Sequence, residues 1–238
     1  LDRSVSRTIA HLQKESAAVS IDRQERSATS LGFEVSVQNL SGHKLPTGYP
    51  SRRVWLHVTV RDRGGRAVFE SGGIDPNGAI AGNDHDRDAA VFEPHYTEIT
   101  SAGQVQIYES VMGDASGRPT TGLLNAVRFL KDNRLLPQGF DKATASADIA
   151  VIGSAVDDAS FAAGGDRVRY VVDVGAADGP FQIEAELRFQ PISYRWAQNL
   201  TLFDSSEAKR FVRYYDSLAH VSSEVLSRTT ALVSSSSR

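Results

Sequence analysis

No cysteine occurs in the 238 residues, which excludes disulfides, thiolate chemistry and covalent attachment of c-type haem to this chain. The absence does not fix a compartment, because exported bacterial proteins often dispense with disulfides. No apolar run is long enough to span a bilayer. The formal charge of -3 leaves no clustered basic excess of the kind a nucleic-acid surface needs. Residue 1 is leucine, without an initiator methionine or a signal-peptide pattern, and this predicts a processed or trimmed mature chain. Catalytic signatures are missing as well. There is no Gly-x-Ser-x-Gly elbow, phosphate loop, His-Glu-x-x-His pair or dinucleotide fingerprint, and GDASG and GGDR read as ordinary turns. Enzymatic function therefore ranks behind structural and binding roles, and no catalytic residue is expected.

What is present is core material, with 40% hydrophobic residues, and a clear order of elements. Residues 3–18 place Val5, Ile9 and Leu12 at helical spacing, an amphipathic helix with His11 beside its stripe. The polar run 20–30 reads as a linker, so residues 1–29 form a helix and linker. In LGFEVSVQNL, Leu31, Phe33, Val35 and Val37 alternate with polar residues, the pattern of a strand with one wet face. RVWLHVTVRD buries Val54, Leu56, Val58 and Val60, while Arg53, Trp55, His57, Thr59 and Arg61 share a face that a Trp implies is covered. Gly64-Gly65 closes a hairpin. A polar excursion spans 72–100, a strand is expected at VQIYESVMGD, and GLLNAVRFLKDN has the spacing of a short helix. DRVRYVVDV and FQIEAELRFQ alternate strictly, setting Val168, Tyr170, Val172 and Val174, then Phe181, Ile183, Ala185, Leu187 and Phe189, against Gln182, Glu184, Glu186, Arg188 and Gln190. The short turn AADGP between them predicts an antiparallel pair. Phe211, Tyr215, Leu218, Val221 and Val225 predict a C-terminal helix, ending in a disordered SSSSR tail. The expected fold is mainly β: an antiparallel, Ig-like β-sandwich over 30–200, flanked by an N-terminal helix and by a C-terminal helix and tail over 201–238.

The centre of this organisation is Asn39–Val60, NLSGHKLPTGYPSRRVWLHVTV. Pro46 and Pro50 fix backbone angles, and Gly42 and Gly48 permit bends, so the loop is expected to be ordered without a ligand. It is either a rigid inter-strand connection or a surface presented to a partner. His43, Lys44, Tyr49, Arg52, Arg53 and Trp55, joined by Tyr194 and Trp196, are the candidate docking residues, of types enriched in interface cores. The competing possibility is that the aromatics are internal and the arginines bind the acidic excursion. In that excursion Asp75, Asn77, Asp84, Asp86 and Asp88 offer hard oxygens with bendable glycines between, suited to Ca²⁺, which takes about six to eight oxygen ligands. Their spacing does not match the helix-flanked calcium loop, and a solvated loop is the alternative. His43, His85 and His95 could meet as ligands to a transition metal or haem. Alternatively, His95 hydrogen-bonds beside Glu93 and Tyr96 and ties the excursion down.

Four phrases in this order, SGHKLPTGYPSRRVWLHVTV, FEPHYTEITSAGQVQIYESVMGD, FLKDNRLLPQGFDKA and IEAELRFQPISYRWAQNL, resemble the haem-free C-terminal region of a group of bacterial multihaem c-type cytochromes, over roughly residues 30 to 215. In that family an upstream segment carries Cys-x-x-Cys-His sites and is matured outside the cytoplasm. This chain has no such motif. The resemblance implies a periplasmic or otherwise extracytoplasmic setting, no haem of the chain's own, and packing against a haem-bearing partner. The partner would be a multihaem cytochrome or a membrane-bound respiratory or photosynthetic electron-transfer complex. The competing expectation is a calcium- or carbohydrate-binding module.

Overall fold

A computed structural model describes residues 2–234. In chain order the elements are α1 (Asp2–Glu15), β1 (Ala17–Arg26), β2 (Ser30–Asn39), β3 (Arg53–Arg61), β4 (Ala67–Ser71), α2 (Asp84–Arg87), β5 (Glu98–Ile99), β6 (Ile107–Tyr108), β7 (Ser110–Gly113), β8 (Pro119–Thr120), β9 (Arg128–Asp132), β10 (Gly165–Asp173), β11 (Phe181–Gln190), α3 (Tyr194–Asn199), α4 (Ser206–Leu218) and β12 (Glu224–Val233). Two sheets carry the core, one ordered β1-β2-β10-β5 and the other β12-β11-β3-β4, with β6 also on β3. A third, small sheet is ordered β8-β7-β9. The molecule is a mainly β, largely antiparallel sandwich with helices at its N-terminal and C-terminal ends, as the alternation predicts. Among the described residues, no helix is long and apolar enough to cross a membrane.

The period-two residues fill the space between the sheets. Phe33, Val35, Val168, Tyr170 and Val172 from one sheet meet Val54, Leu56, Val58, Val60, Ile183, Ala185 and Leu187 from the other, all fully buried. Phe33 stacks on Tyr170 at 5.2 Å between ring centroids, and Phe69 meets Tyr170 edge-on at 6.3 Å. Burying each such side chain contributes about 1.5–3 kcal/mol. The β3–β4 hairpin forms where Gly64-Gly65 predicts it, its turn closed by Asp62, whose Oδ1 accepts from the Gly64 and Arg66 amides.

The pairing of β10 and β11 differs from expectation. β10 lies between β2 and β5, whereas β11 lies between β3 and β12. The short connection over 174–180 crosses from one sheet to the other instead of closing a hairpin. Nor is the outer face of β11 uniformly wet. Glu186 and Gln190 are buried, and Arg188 is half-buried, donating to Glu186 and to Ser223 Oγ.

Three further segments correct the sequence reading. Residues 17–26, read as the end of the helix and a linker, form β1, which pairs with β2 through a bulge between Asp22 and Glu25. The stretch 122–133 is no helix. It is turns followed by β9, with Leu123, Leu124 and Val127 exposed. The C-terminal helix stops at Leu218, and Val225 lies in β12, an edge strand on β11. β12 also reaches across to the other sheet, where Ser227 Oγ accepts from the Val19 amide at 3.1 Å. Beyond Ser234, the tail read as disordered lies outside the described residues.

Because Ile183 and Val172 are fully buried while the Glu184 side chain is half-exposed, their substitutions should separate cleanly in urea denaturation. Ile183→Asp or Val172→Asp should remove several kcal/mol of a total of about 5–15 and unfold the chain. Glu184→Ala should stay within about 0.5 kcal/mol of the parent.

Candidate functional site

The loop from β2 to β3 is braced along its length. Asn39, the last residue of β2, donates through Nδ2 to the carbonyls of His43 and Leu135 and accepts from the Ser41 amide. Leu45 exchanges backbone hydrogen bonds with Leu135. Lys44 Nζ sits 2.9 Å from Asp132 Oδ2. Arg52 Nη1 donates to Thr47 O, and Ser51 Oγ to Pro191 O. The loop is thus a fixed connection, and Lys44 and Arg52 are spent within the chain. Of the other docking candidates, Arg53 (2% exposed) and Trp55 (0%) are internal. Both had been placed on a presented face, but the excursion over 72–90 covers that face of β3. His43 is exposed, its Nδ1 3.0 Å from Lys44 O. Tyr194 is half-buried beside the Arg195 guanidinium. Tyr49 and Trp196 meet edge-on at 5.2 Å, and both line a surface groove.

Arg53 and Arg195, but not Arg52, bind the acidic excursion. Arg53 donates to Asp86 Oδ1 (2.8 Å), to Gln190 Oε1 (2.8 Å) and to Gly78 O (3.2 Å). Asp86 Oδ2 accepts from the Ile80 amide. Arg195 donates to the carbonyls of His85 and Asp86, and Trp55 Nε1 to Gly72 O. The calcium candidates are committed elsewhere. Asp86 is buried in this ion pair and Asp84 pairs with Arg87. Asn77 and Asp88 accept from the amides of Ala79 and Ala90 in local turns. Asp75 is exposed at another turn. Among the described residues, no three of the loop's carboxylates come within 4.8 Å of one another, so the loop does not form the oxygen cage the sequence suggested.

The three histidines do not meet either: His43 is on the surface loop, His85 in α2, and His95 inside. His95 instead belongs to a buried polar cluster whose other members were not singled out from sequence. Its Nε2 is 3.0 Å from Asp158 Oδ2 and 3.7 Å from Asp166 Oδ2, the tightest grouping of ligand-type atoms among the described residues. On the other side of the ring, Gln106 Nε2 (2.7 Å) and Asn133 Nδ2 (3.1 Å) point at Nδ1. Both amides are fixed in that orientation, because Gln106 Oε1 accepts from the Tyr96 amide and Asn133 Oδ1 from the Glu109 amide. Nδ1 therefore carries no hydrogen, and Nε2 carries one and donates it to Asp158. A metal ion on Nε2 would need the hydrogen on Nδ1, facing two N–H donors. The site fits a neutral imidazole and not a liganded one, which corrects the reading of His95 as a metal or haem ligand. Burial lowers the His95 pKa to about 4, against the opposing pull of Asp158. The expected tie-down does exist: Tyr96 Oη donates to Glu93 at 2.6 Å, and the His95 amide to Ser154 Oγ at 3.0 Å. Asp166, read as part of an ordinary GGDR turn, opens β10 and is buried.

The surface feature that the sequence reading did not assemble is apolar. A groove of about 710 Å³ runs between α1 and α4, walled by Val5, Ile9 and Leu12 on one side and Phe211, Tyr214 and Leu218 on the other. A second, of about 600 Å³, is walled by Tyr49, Leu123, Leu124, Trp196 and Phe203. Ile192 and Phe211 line both, so the two grooves adjoin, and together they are called the ledge. α1 buries no residue completely, and Leu124 is fully exposed.

No protein-family model matches the chain, and no curated protein matches it by sequence. Among solved structures it is similar to a penta-heme cytochrome c552 from Thermochromatium tepidum, with a TM-score of 0.48 and 12% identity. The alignment covers 94% of this chain and 41% of that one.

Truncating Asp86 should be among the most damaging changes outside the apolar core. Asp86→Ala leaves the Arg53 guanidinium buried without its counter-charge, and a broken buried pair costs about 3–5 kcal/mol. In urea denaturation Asp86→Ala should therefore fall well below the Arg53→Met/Asp86→Leu double variant, which removes both charges. Millimolar calcium should leave the thermal midpoint of the parent chain unchanged, and a shift of several degrees would restore the cage.

Proposed function

We propose that the chain is a non-catalytic, extracytoplasmic docking module whose apolar ledge seats a haem-bearing partner, a multihaem c-type cytochrome that is free-standing or part of a membrane-bound electron-transfer complex. The observation that carries this reading is the ledge. Val5, Tyr49, Leu124, Phe203, Tyr214, Leu218 and Val221 are each about half exposed or more along it. Aromatic side chains bury about 150–250 Å² each when covered, so this surface offers several hundred Å² of apolar area. That is comparable to the largest apolar patch of a typical monomer, roughly 300–600 Å² and often functional, and is a core around which the roughly 800 Å² that one partner contributes to a standard interface could be completed. A small ligand would fill one groove and leave the other wet, whereas a protein surface covers both. The nature of the partner is supported by the four phrases that resemble the haem-free region of multihaem cytochromes. The lack of cysteine is consistent with haem residing in the partner.

The test uses tagged chain mixed with the multihaem c-type cytochromes solubilised from membranes of its source, read by haem absorbance co-eluting in fixed ratio with the chain. Leu124→Asp with Phe203→Asp should weaken that association at least tenfold while leaving the melting temperature within a few degrees. Haem-free elution of the parent chain would overturn the reading, as would a ledge satisfied by a concentration-dependent homodimer that the same double variant dissolves.

A further inference from the structure

The cluster around His95 places two carboxylates side by side, and among the described residues no lysine or arginine pairs with either. Asp158 follows the 3-10 turn at Ser154–Val156, and Asp166 lies at the start of β10. Their side chains are 5% and 0% exposed. From β6, Tyr108 Oη donates to Asp166 Oδ2 at 2.8 Å, and Gln106 donates to the same oxygen at 3.3 Å. Asp166 Oδ1 accepts from the Arg167 amide. Tyr170, further along β10, has a buried hydroxyl with no partner. The cations near the cluster are engaged elsewhere. Lys131 on β9 is held by Glu109 and Ile107 O, and Lys142 by the carbonyls of Ala155 and Asp158. Among the described residues, the only basic side chain that reaches either carboxylate is His95, whose Nδ1 faces two amide donors, so it stays neutral down to about pH 4.

We propose that Asp158 and Asp166 form a proton-binding site: the pair holds a single proton in the folded chain in mild acid, resident on Asp166, while His95 stays neutral beside it. Two like charges this close in a dry interior cannot both ionise without a large penalty. Asp158 keeps the charge, because Ser160 donates to it through both amide and hydroxyl and His95 adds a third bond. Asp166 is the more deeply buried of the two, and burial, reinforced by the Asp158 charge, lifts it to about 7.

The two shifts act on stability with opposite sign. Asp166 is raised from an unfolded value of about 3.9, so its contribution is complete below that pH and is lost as pH rises through about 7. His95 is depressed from about 6.5, so its contribution is complete above that pH and is lost as pH falls through about 4. Between these limits the folded chain binds one proton at Asp166 and the unfolded chain binds one at a free histidine. The bound-proton counts match, and the two slopes cancel. Mild acid therefore moves a proton between sites on unfolding without changing the balance, so this cluster adds no net pH dependence of its own across that window.

The test is urea denaturation of the full chain from pH 4.5 to 6.5 for the parent, Asp166→Asn and His95→Gln. The Asp166→Asn chain should become more stable as pH rises, by up to about tenfold in the folding constant per pH unit. His95→Gln should become less stable by a similar factor, with the parent flatter than either. The infrared difference between parent and Asp166→Asn at pH 6 should show a protonated-carboxyl carbonyl band in the parent alone, a readout that does not depend on His95→Gln folding. An Asp166→Asn profile parallel to that of the parent, or the absence of that band, would overturn the proposal.

Discussion

The Arg53 guanidinium is the interaction on which most of the outer architecture depends. It sits on a central strand, on the face turned away from the apolar core, and reaches Asp86, Gln190 and Gly78 O at once. Gln190 donates to the same Gly78 carbonyl, so the excursion is fastened to two neighbouring strands. Asp86 in turn fixes the Ile80 amide, and Arg195 at the start of α3 clasps the carbonyls of His85 and Asp86. A polar loop that would otherwise be a solvated excursion becomes a lid over Trp55, and the lid becomes the anchor for α3. Because α3 carries Trp196, one wall of the apolar ledge rests on this chain of bonds. A buried ion pair of this kind is weak evidence for added stability over an apolar replacement; what it supplies here is a single arrangement of lid, helix and ledge.

How much of this could be read beforehand follows from what each pattern reports. Alternation identified β2, β3, β10 and β11 and the residues they bury, because period two is a local consequence of the pleat. It could not say which strands pair. A short connection between two strands can return within one sheet or cross to the facing one, and in both cases the same alternate residues point into the core. AADGP is therefore silent on the difference between a hairpin and the observed crossing. β1 and β12 were missed because edge strands bury little. Ser20–Arg26 carries five polar or charged residues beyond Ile21, and β12 continues directly from a helical pattern whose stripe happens to extend through Val221 to Val225. The helix read into 122–133 failed for the opposite reason: Leu123 and Val127 have helical spacing but are exposed, so the stripe had no core to face.

The candidate site was legible in part. That a Trp between Arg and His implies a covered face follows from elementary burial, and the cover proved to be the acidic excursion with Arg53 bound to it. The His95 cluster left no such trace. Its members, Gln106, Asn133, Asp158 and Asp166, come from four separate segments, and none stands at a spacing that marks it as polar and inward. Asp166 even falls in GGDR, which reads as an unremarkable turn, although it lies inside β10. Buried polar networks are assembled by topology, and topology is the part of this fold that sequence patterns leave open.

These features bear on what a docking module requires. A surface that must be presented to a partner loses less affinity when it is already ordered, and here order is supplied from beneath. Asn39 and Leu135 hold the loop that carries Tyr49, while Ser51 and Ser193 join that loop to the segment leading into α3. Tyr49 and Trp196 then meet across the gap. The apolar residues left at the surface are thus mounted on a frame whose internal contacts are polar and geometrically demanding, whereas the ledge itself is apolar and undemanding in direction. That division suits a rigid platform: direction-specific bonds fix where the ledge lies, and non-directional burial is left free to be completed by whatever covers it.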